Sequence, residues 1–314
     1  MKTRTIAIVG AGIAGLSCAD RLAAAGHAVR LFDKGRGPGG RMSTRRVDMG
    51  GEPVGFDHGA QYFTARDEEF LEQVLRWEAD GLVARWPPAG DDAWVGVPGM
   101  SAPVRALADR HAVEWNAAVV SVVRQDGRWL VGADARPFDA LVVAVPAEQA
   151  APLLRPFLPA FAAEADHLPS RPCWTLLAAF DAPLAVGADC WRGGDEDAIG
   201  WAARNSAKPG RGPAETWVVQ AGAGWSARHL EDDREGVADA LLAALRDAVG
   251  PTALPPLRYR AAHRWRYART TAQGCRPLWD EIVRMGACGD WRGAPRVEAA
   301  WLSGAALAAM MLGG

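Results

Sequence analysis

A chain of 314 residues with 49% hydrophobic and 23% charged side chains has ample material for a buried core in one large or two medium domains. Its 35 basic and 37 acidic residues leave a net charge of −2, which argues against nucleic acid as a bulk partner. The five cysteines (Cys18, Cys173, Cys190, Cys275 and Cys288) are odd in number, widely spaced and without a C-x-x-C pair, and the six histidines form no ligand cluster. Neither a disulfide framework nor a metal site is expected.

The opening MKTRTIAIVG has too short an apolar run for a signal-peptide core, and the apolar C-terminal segment is interrupted by Ser303 and Gly304. No membrane span is predicted, and the expected compartment is the cytoplasm. Fourteen tryptophans against three tyrosines (Tyr62, Tyr259, Tyr267) point to indole filling of cores, with a few rings left to line a flat ligand pocket.

In chain order, TIAIV (5–9) reads as a short buried strand. GAGIAG (10–15) follows, and then a helix over Leu16–Ala25 stopped by Gly26. A second strand, Val29–Phe32, ends at Asp33. This is β-α-β around G-x-G-x-x-G, the context that gives the glycine triplet meaning. Gly10 permits the tight turn, Gly12 lets backbone approach a pyrophosphate, and Gly15 lets the helix pack on the strand. The helix N-terminus adds free N–H groups for phosphate, and Asp33 stands where a carboxylate meets a ribose. A dinucleotide is therefore expected.

Thr64 and Asp67 suggest the start of a helix carrying Phe70, Leu71, Val74, Leu75 and Trp77. Residues 84–103 read as a loop and 103–109 as a helix. VVSVVRQ, Asp126-Gly127 and RWLVGA form a hairpin signal, and LVVAVP (141–146) is an apolar strand. Proline-rich 150–172 reads as a domain crossing, and 173–220 as strands. A helix is predicted near 230–249, with Glu231, Asp232 and Asp233 at its positive end and Gly250-Pro251 closing it. The last helix is placed at 299–312.

After Asp33 the chain reads DKGRGPGGRMSTRR (33–46). Gly39-Gly40-Arg41 resembles the second phosphate loop of the amine-oxidase group of FAD proteins, where glycines approach the cofactor and the arginine supports its pyrophosphate. FDHGAQYF (56–63) resembles the stretch that passes beside the isoalloxazine in that superfamily. Asp57 and His58 are not expected to act as an acid–base pair, because neighbours on an extended chain point oppositely. Gly289-Asp290 followed by V-E-x-A-x-x-S-G (297–304) resembles the C-terminal FAD signature, with Ala299 where the family commonly has Gly.

The combination of GRGPGGRMSTRR, FDHGAQYFTARD, WVGVPGM, WAARNSAKPGR (201–211), WVVQAGAGWS (217–226) and GDW…RVEAAWLSG resembles the bacterial renalase-like branch of the flavin amine-oxidase superfamily, from residue 6 to about 312. The resemblance implies an α/β protein: a Rossmann-type FAD-binding domain with a second domain of mixed β-sheet and helix. The first would be discontinuous, about 1–65, 100–160 and 265–314, and the substrate domain about 66–99 and 161–264. It implies noncovalent FAD held by Gly10, Gly12, Ala14, Gly15, Asp33, Lys34, Arg41, Met42, Gly59, Ala60, Gln61, Tyr62, Val119, Asp290, Glu298, Ala299 and Ala300. The last helix would aim its N-terminus at the flavin, where reduction places negative charge.

The implied activity is oxidation of isomeric (2- or 6-dihydro) forms of β-NAD(P)H. Hydride would pass to flavin N5, and oxygen would yield hydrogen peroxide and NAD(P)⁺. The partners are thus a small dihydronicotinamide and O2. Substrate contacts are expected from Gln61, Trp201, Arg204, Asn205, His263, Tyr267 and Arg296. No acid–base residue is demanded, since the dihydropyridine nitrogen already pushes electron density. Amine oxidases of the superfamily often carry a tyrosine two residues before the helix glutamate. Here that position is Arg296, which suits a phosphate-bearing substrate better than a protonated amine. The rival readings are a flavin amine oxidase or desaturase, and a non-catalytic FAD-binding protein.

Overall fold

The computed structural model describes all residues except 1, 2, 133, 251–253, 273, 275 and 314. Pro251 and Cys275 therefore lie outside the described residues. The chain divides into two compact units, one of Met1–Gly40, Val104–Ser170 and Thr270–Gly314, the other of Arg41–Pro103 and Arg171–Arg269.

The first unit is built on a six-stranded sheet in the order Leu278–Asp280, Met285–Ala287, Ala140–Val143, Thr5–Val9, Ala28–Phe32, Ala112–Glu114. The pairings among its last five strands are parallel. TIAIV and ALVV are apolar because both faces of such a sheet are covered. The glycine-turn helix, Ile13–Ala24, crosses from the first strand to the second. The closing helix, Val297–Leu312, packs on it so tightly that a Cβ on Gly304 would collide with the Ala14 carbonyl. A smaller three-stranded sheet (122–138) turns at Asp126-Gly127, both at positive φ (50° and 76°), as the D-G signal predicts.

The second unit carries a five-stranded sheet ordered Cys190–Arg192, Trp201–Arg204, Glu215–Gln220, Ser170–Phe180, Leu257–Thr270. One face packs Trp174, Leu176, Ala178, Trp217 and Val219 against Val237, Leu241 and Leu245 of the helix Arg234–Val249. The other face receives Phe56 on Leu177, Ala179 and Val218.

Several sequence expectations are corrected. Residues 41–65 belong by contact to the second unit, because Asn205 ties the strand Pro53–Asp57 to that unit's sheet. Residues 161–170 belong to the first unit, and 265–269 to the second. The proline-rich 150–172 is largely helical (Ala147–Leu154, Pro159–Asp166), with Pro159 in the first turn where its missing N–H costs nothing. The 84–103 loop contains the strand Ala93–Gly96, whose Ala-Trp-Val-Gly is fully buried. Thr64 ends a strand. Asp67 caps the helix Glu68–Ala79, accepting from the Glu69 and Phe70 N–H groups at 3.0 and 3.2 Å.

Candidate functional site

In the first unit the predicted glycine turn is assembled around Gly10, which sits at φ +105° with no room for a Cβ beside Ala144. Asp33 holds the turn against the second strand. Its carboxylate accepts from the Ala11 and Gly35 N–H groups, each at 2.7 Å, and keeps lone pairs for a further donor. Gly12 caps the glycine-turn helix without any side-chain acceptor, so the first-turn N–H groups, including those of Ala14 and Gly15, are available to an anion. A Cβ at Gly12 would meet nothing within 4 Å, whereas one at Gly40 would come within 3.7 Å of Gly12 Cα. The two glycine loops thus meet around an open space. That is the cradle a pyrophosphate needs, so the residues fit a dinucleotide.

The closing helix meets the glycine-turn helix at Gly304, beside Ala14 and Cys18. Ser303 accepts the Gly289 N–H at 3.1 Å, and Trp291 donates to the Val145 carbonyl at 3.0 Å, so the Gly289-Asp290 loop is fastened to the sheet and the helix. Asp290, Glu298 and Ala300 are buried, and Ala299 is half-buried. Lys34 and Arg296 are exposed, and Val119 packs against the edge of the core.

In the second unit, the stretch 56–62 lies across the sheet. Gln220 donates to the Gly59 carbonyl at 2.7 Å, and Trp265 to the His58 carbonyl at 2.7 Å. Arg41 and Ala60 are joined through the Ala60 N–H and the Arg41 carbonyl at 2.8 Å. Gly59 is required there, since a Cβ would strike that same carbonyl. Met42 is buried and Tyr267 half-buried.

Three expected ligand contacts are used for structure instead. Asn205 is 1% exposed, and its amide serves Asp57, Gly55 and Thr216. Arg204 is bound to Glu215, Asp189 and the Leu184 carbonyl. Gln61 donates to the Asp57 and Gly59 carbonyls and accepts from Lys208 at 3.1 Å, which occupies both its N–H groups.

Sequence reasoning missed the centre of this unit. Asp57, Lys208 and Arg211 form a buried charge cluster with side-chain exposures of 0%, 0% and 4%. Asp57 accepts from Thr44 Oγ1 (2.8 Å), the Met100 N–H (2.9 Å), Lys208 (3.5 Å) and Arg211. Burial alone would raise its pKa, but Lys208 and Arg211 outweigh that and hold it below the usual range. Burial pulls Lys208 down to about 8, partly offset by Asp57. The available signal was that Lys208 is one of only three lysines in an arginine-rich chain.

His58 and His263 stand edge to face at 4.7 Å beside Trp265. Burial, a neighbouring imidazole and Arg45 push His58 down to about 4, and burial, Arg45 and Arg234 do the same for His263. Both are neutral at pH 7. Asp57 and His58 do serve different clusters, as adjacent residues of an extended segment should.

The first unit defines a Rossmann-type dinucleotide-binding fold, and the family match identifies the dinucleotide as FAD. The chain belongs to the flavin containing amine oxidoreductases, whose family pattern matches residues 87–312, and a NAD(P)-binding Rossmann-like domain pattern matches residues 8–76.

In sequence, 94 residues are 42% identical to the hydroxyneurosporene desaturase of Rubrivivax gelatinosus, and 45 residues are 51% identical to the zeta-carotene-forming phytoene desaturase of Myxococcus xanthus. These matches cover 27% and 14% of this chain, but only 17% and 9% of those proteins. In structure, a proposed protoporphyrinogen oxidase from Exiguobacterium sp. 255-15 (TM-score 0.74, 15% identity, 99% of each chain) has the same fold. So does the cyclohexylamine oxidase of Brevibacterium oxydans IH-35A (TM-score 0.70, 16% identity, 99% of this chain and 100% of that one). Among the described residues no helix is long and apolar enough to cross a membrane, and no group of three or more His, Cys, Asp or Glu could hold a metal.

Proposed function

We propose that this flavoprotein oxidises isomeric dihydronicotinamide dinucleotides, with NAD(P)⁺ as the product. One observation carries the reading. The two buried carboxylates of the second unit, Asp57 and Glu215, are both committed to cations, Asp57 to Lys208 and Arg211 and Glu215 to Arg204. That arrangement favours a substrate bearing negative charge over an ammonium.

Bound FAD would supply the hydride acceptor and the electron route to dioxygen, for an overall conversion of dihydro-NAD(P), O2 and a proton to NAD(P)⁺ and hydrogen peroxide. The glycine turn, the two helix N-termini, Asp33 and Asp290 would hold the cofactor. His263 and Tyr267 would orient the nicotinamide. Neutral His58 and His263 offer no proton at pH 7, which suits a hydride transfer that needs none. The work of the chain is then positioning.

A second reading, an amine oxidase or desaturase, is the one the family description and the names of the similar proteins favour. Mixing the yellow protein anaerobically with 2- and 6-dihydro-NAD(P) isomers, and separately with simple amines, decides between them. Flavin bleaching by the isomers alone is expected. Bleaching by amines alone overturns the proposal.

A further inference from the structure

On one face of the second unit's sheet, Arg192, Trp201, Gln220 and Thr175 stand opposite one another across four neighbouring strands. Arg192 lies over two rings, with its guanidinium carbon 4.6 Å from the centroid of Trp201 and 5.4 Å from that of Tyr62. The rings are themselves 5.4 Å apart. One guanidinium N–H donates to the Tyr62 hydroxyl at 2.6 Å.

Arg192 is exposed, yet among the described residues no carboxylate lies within 4 Å of it, while most arginines of this unit have one. The stack and the hydrogen bond fix the plane of the fork in advance, so little freedom remains to be lost on binding. The Tyr62 hydroxyl, having accepted from Arg192, still has its own proton to donate. Trp201 is 7% exposed, and its indole N–H is buried with no partner among the described residues. The cluster is therefore rich in donors and short of acceptors: a guanidinium fork, a phenol and an indole N–H.

We infer that Tyr62, Arg192 and Trp201 form a recognition site for the phosphoryl group of the substrate, with Arg192 as its specificity-determining residue. A phosphate ester at pH 7 is almost entirely an acceptor, and its two oxygens match the guanidinium fork. The inference deepens the function proposed above by naming what the chain reads on the dinucleotide, so its test must be separable from that reading.

The test titrates the FAD-loaded protein with ADP-ribose, a diphosphate without nicotinamide, by calorimetry, and compares wild type with Arg192→Gln and Arg192→Lys. Flavin content and thermal midpoint serve as folding controls. Arg192→Gln should weaken ADP-ribose binding roughly 10- to 100-fold, and Arg192→Lys less, since it keeps the charge and loses the fork. With the dihydro isomers of NAD(P), Arg192→Gln should raise KM by a similar factor and leave kcat within about threefold. With phosphate-free dihydronicotinamide riboside isomers it should change neither. Unchanged ADP-ribose affinity in Arg192→Gln, or no binding to wild type, overturns the inference. Arg192-dependent binding of ADP-ribose in a protein that the isomers fail to reduce upholds the site and sinks the proposed reaction.

Discussion

Replacing Asp57 with Asn removes the only carboxylate that faces two buried cations among the described residues. Lys208 and Arg211 have side-chain exposures of 0% and 4%, so water cannot substitute for the lost charge. The Thr44 and Met100 bonds on Oδ1 survive in an asparagine with its oxygen on that side, and its NH2 group then faces the two cations. Breaking a buried pair from one side costs about 3–5 kcal/mol. Lys208→Met should cost clearly less, because Arg211 keeps its carboxylate.

The deficit of Asp57→Asn must also depend on pH. Lys208 already titrates near 8 in the folded protein, and loss of Asp57 lowers it further. Between that lowered value and 8 the folded variant binds fewer protons than folded wild type. The gap in stability therefore narrows as pH rises through this window. Urea unfolding of the FAD-loaded proteins, followed by tryptophan fluorescence at pH 7 and pH 9, measures both quantities. A deficit below about 1 kcal/mol at pH 7, or one that widens at pH 9, would refute the account of the cluster.

Other outcomes follow from geometry already described. Gly12→Val points its side chain into open space, so the apoprotein should keep its thermal midpoint within about 2 °C while FAD affinity falls at least roughly tenfold. Retention of FAD on gel filtration checks this, and unchanged retention contradicts the cradle. Gly304→Val drives a side chain into the Ala14 carbonyl and should cost about 3 kcal/mol, read as a lowered urea midpoint of the apoprotein. His58 titrates at about 4 in the folded chain and near 6.5 unfolded, so the unfolded state binds its proton first on acidification. Stability contributed by this site is lost as pH falls from 6.5 to 4, by about 3 kcal/mol. His58→Phe should flatten that part of the pH profile, and an unaltered profile would show that His58 is not buried neutral.

The first unit was legible because its signals are local. Gly10, Gly12, Gly15 and Asp33 act within one βαβ turn, where Gly10 and Gly15 leave no room for a Cβ and Gly12 borders open space. The meeting of Gly40 with Gly12 was legible only through resemblance. In the second unit, local reading placed the 215–220 strand and the 234–249 helix but misjudged individual roles. Arg204 and Asn205 have the chemistry of ligand-binding residues, and no spacing rule foretells their bonds to Glu215 and Gly55. Lys208 and Asp57 are 151 residues apart in sequence, and no spacing rule joins them. Arg192 was missed for the same reason, since its partners Tyr62 and Trp201 reach it through the pleat of a sheet and a segment laid across it.

The sheet of the first unit draws its strands from residues 5–32, 112–114, 140–143 and 278–287, and its glycine-turn helix is covered by residues 297–312. During synthesis the first unit therefore opens before the second unit and closes after it. The second unit has all its residues once Arg269 has emerged, while the glycine-turn helix still waits for its cover. A nascent chain halted before residue 297 would present the apolar face of Ile13–Ala24 to the solvent. Cofactor loading is thereby tied to the emergence of residues 297–312.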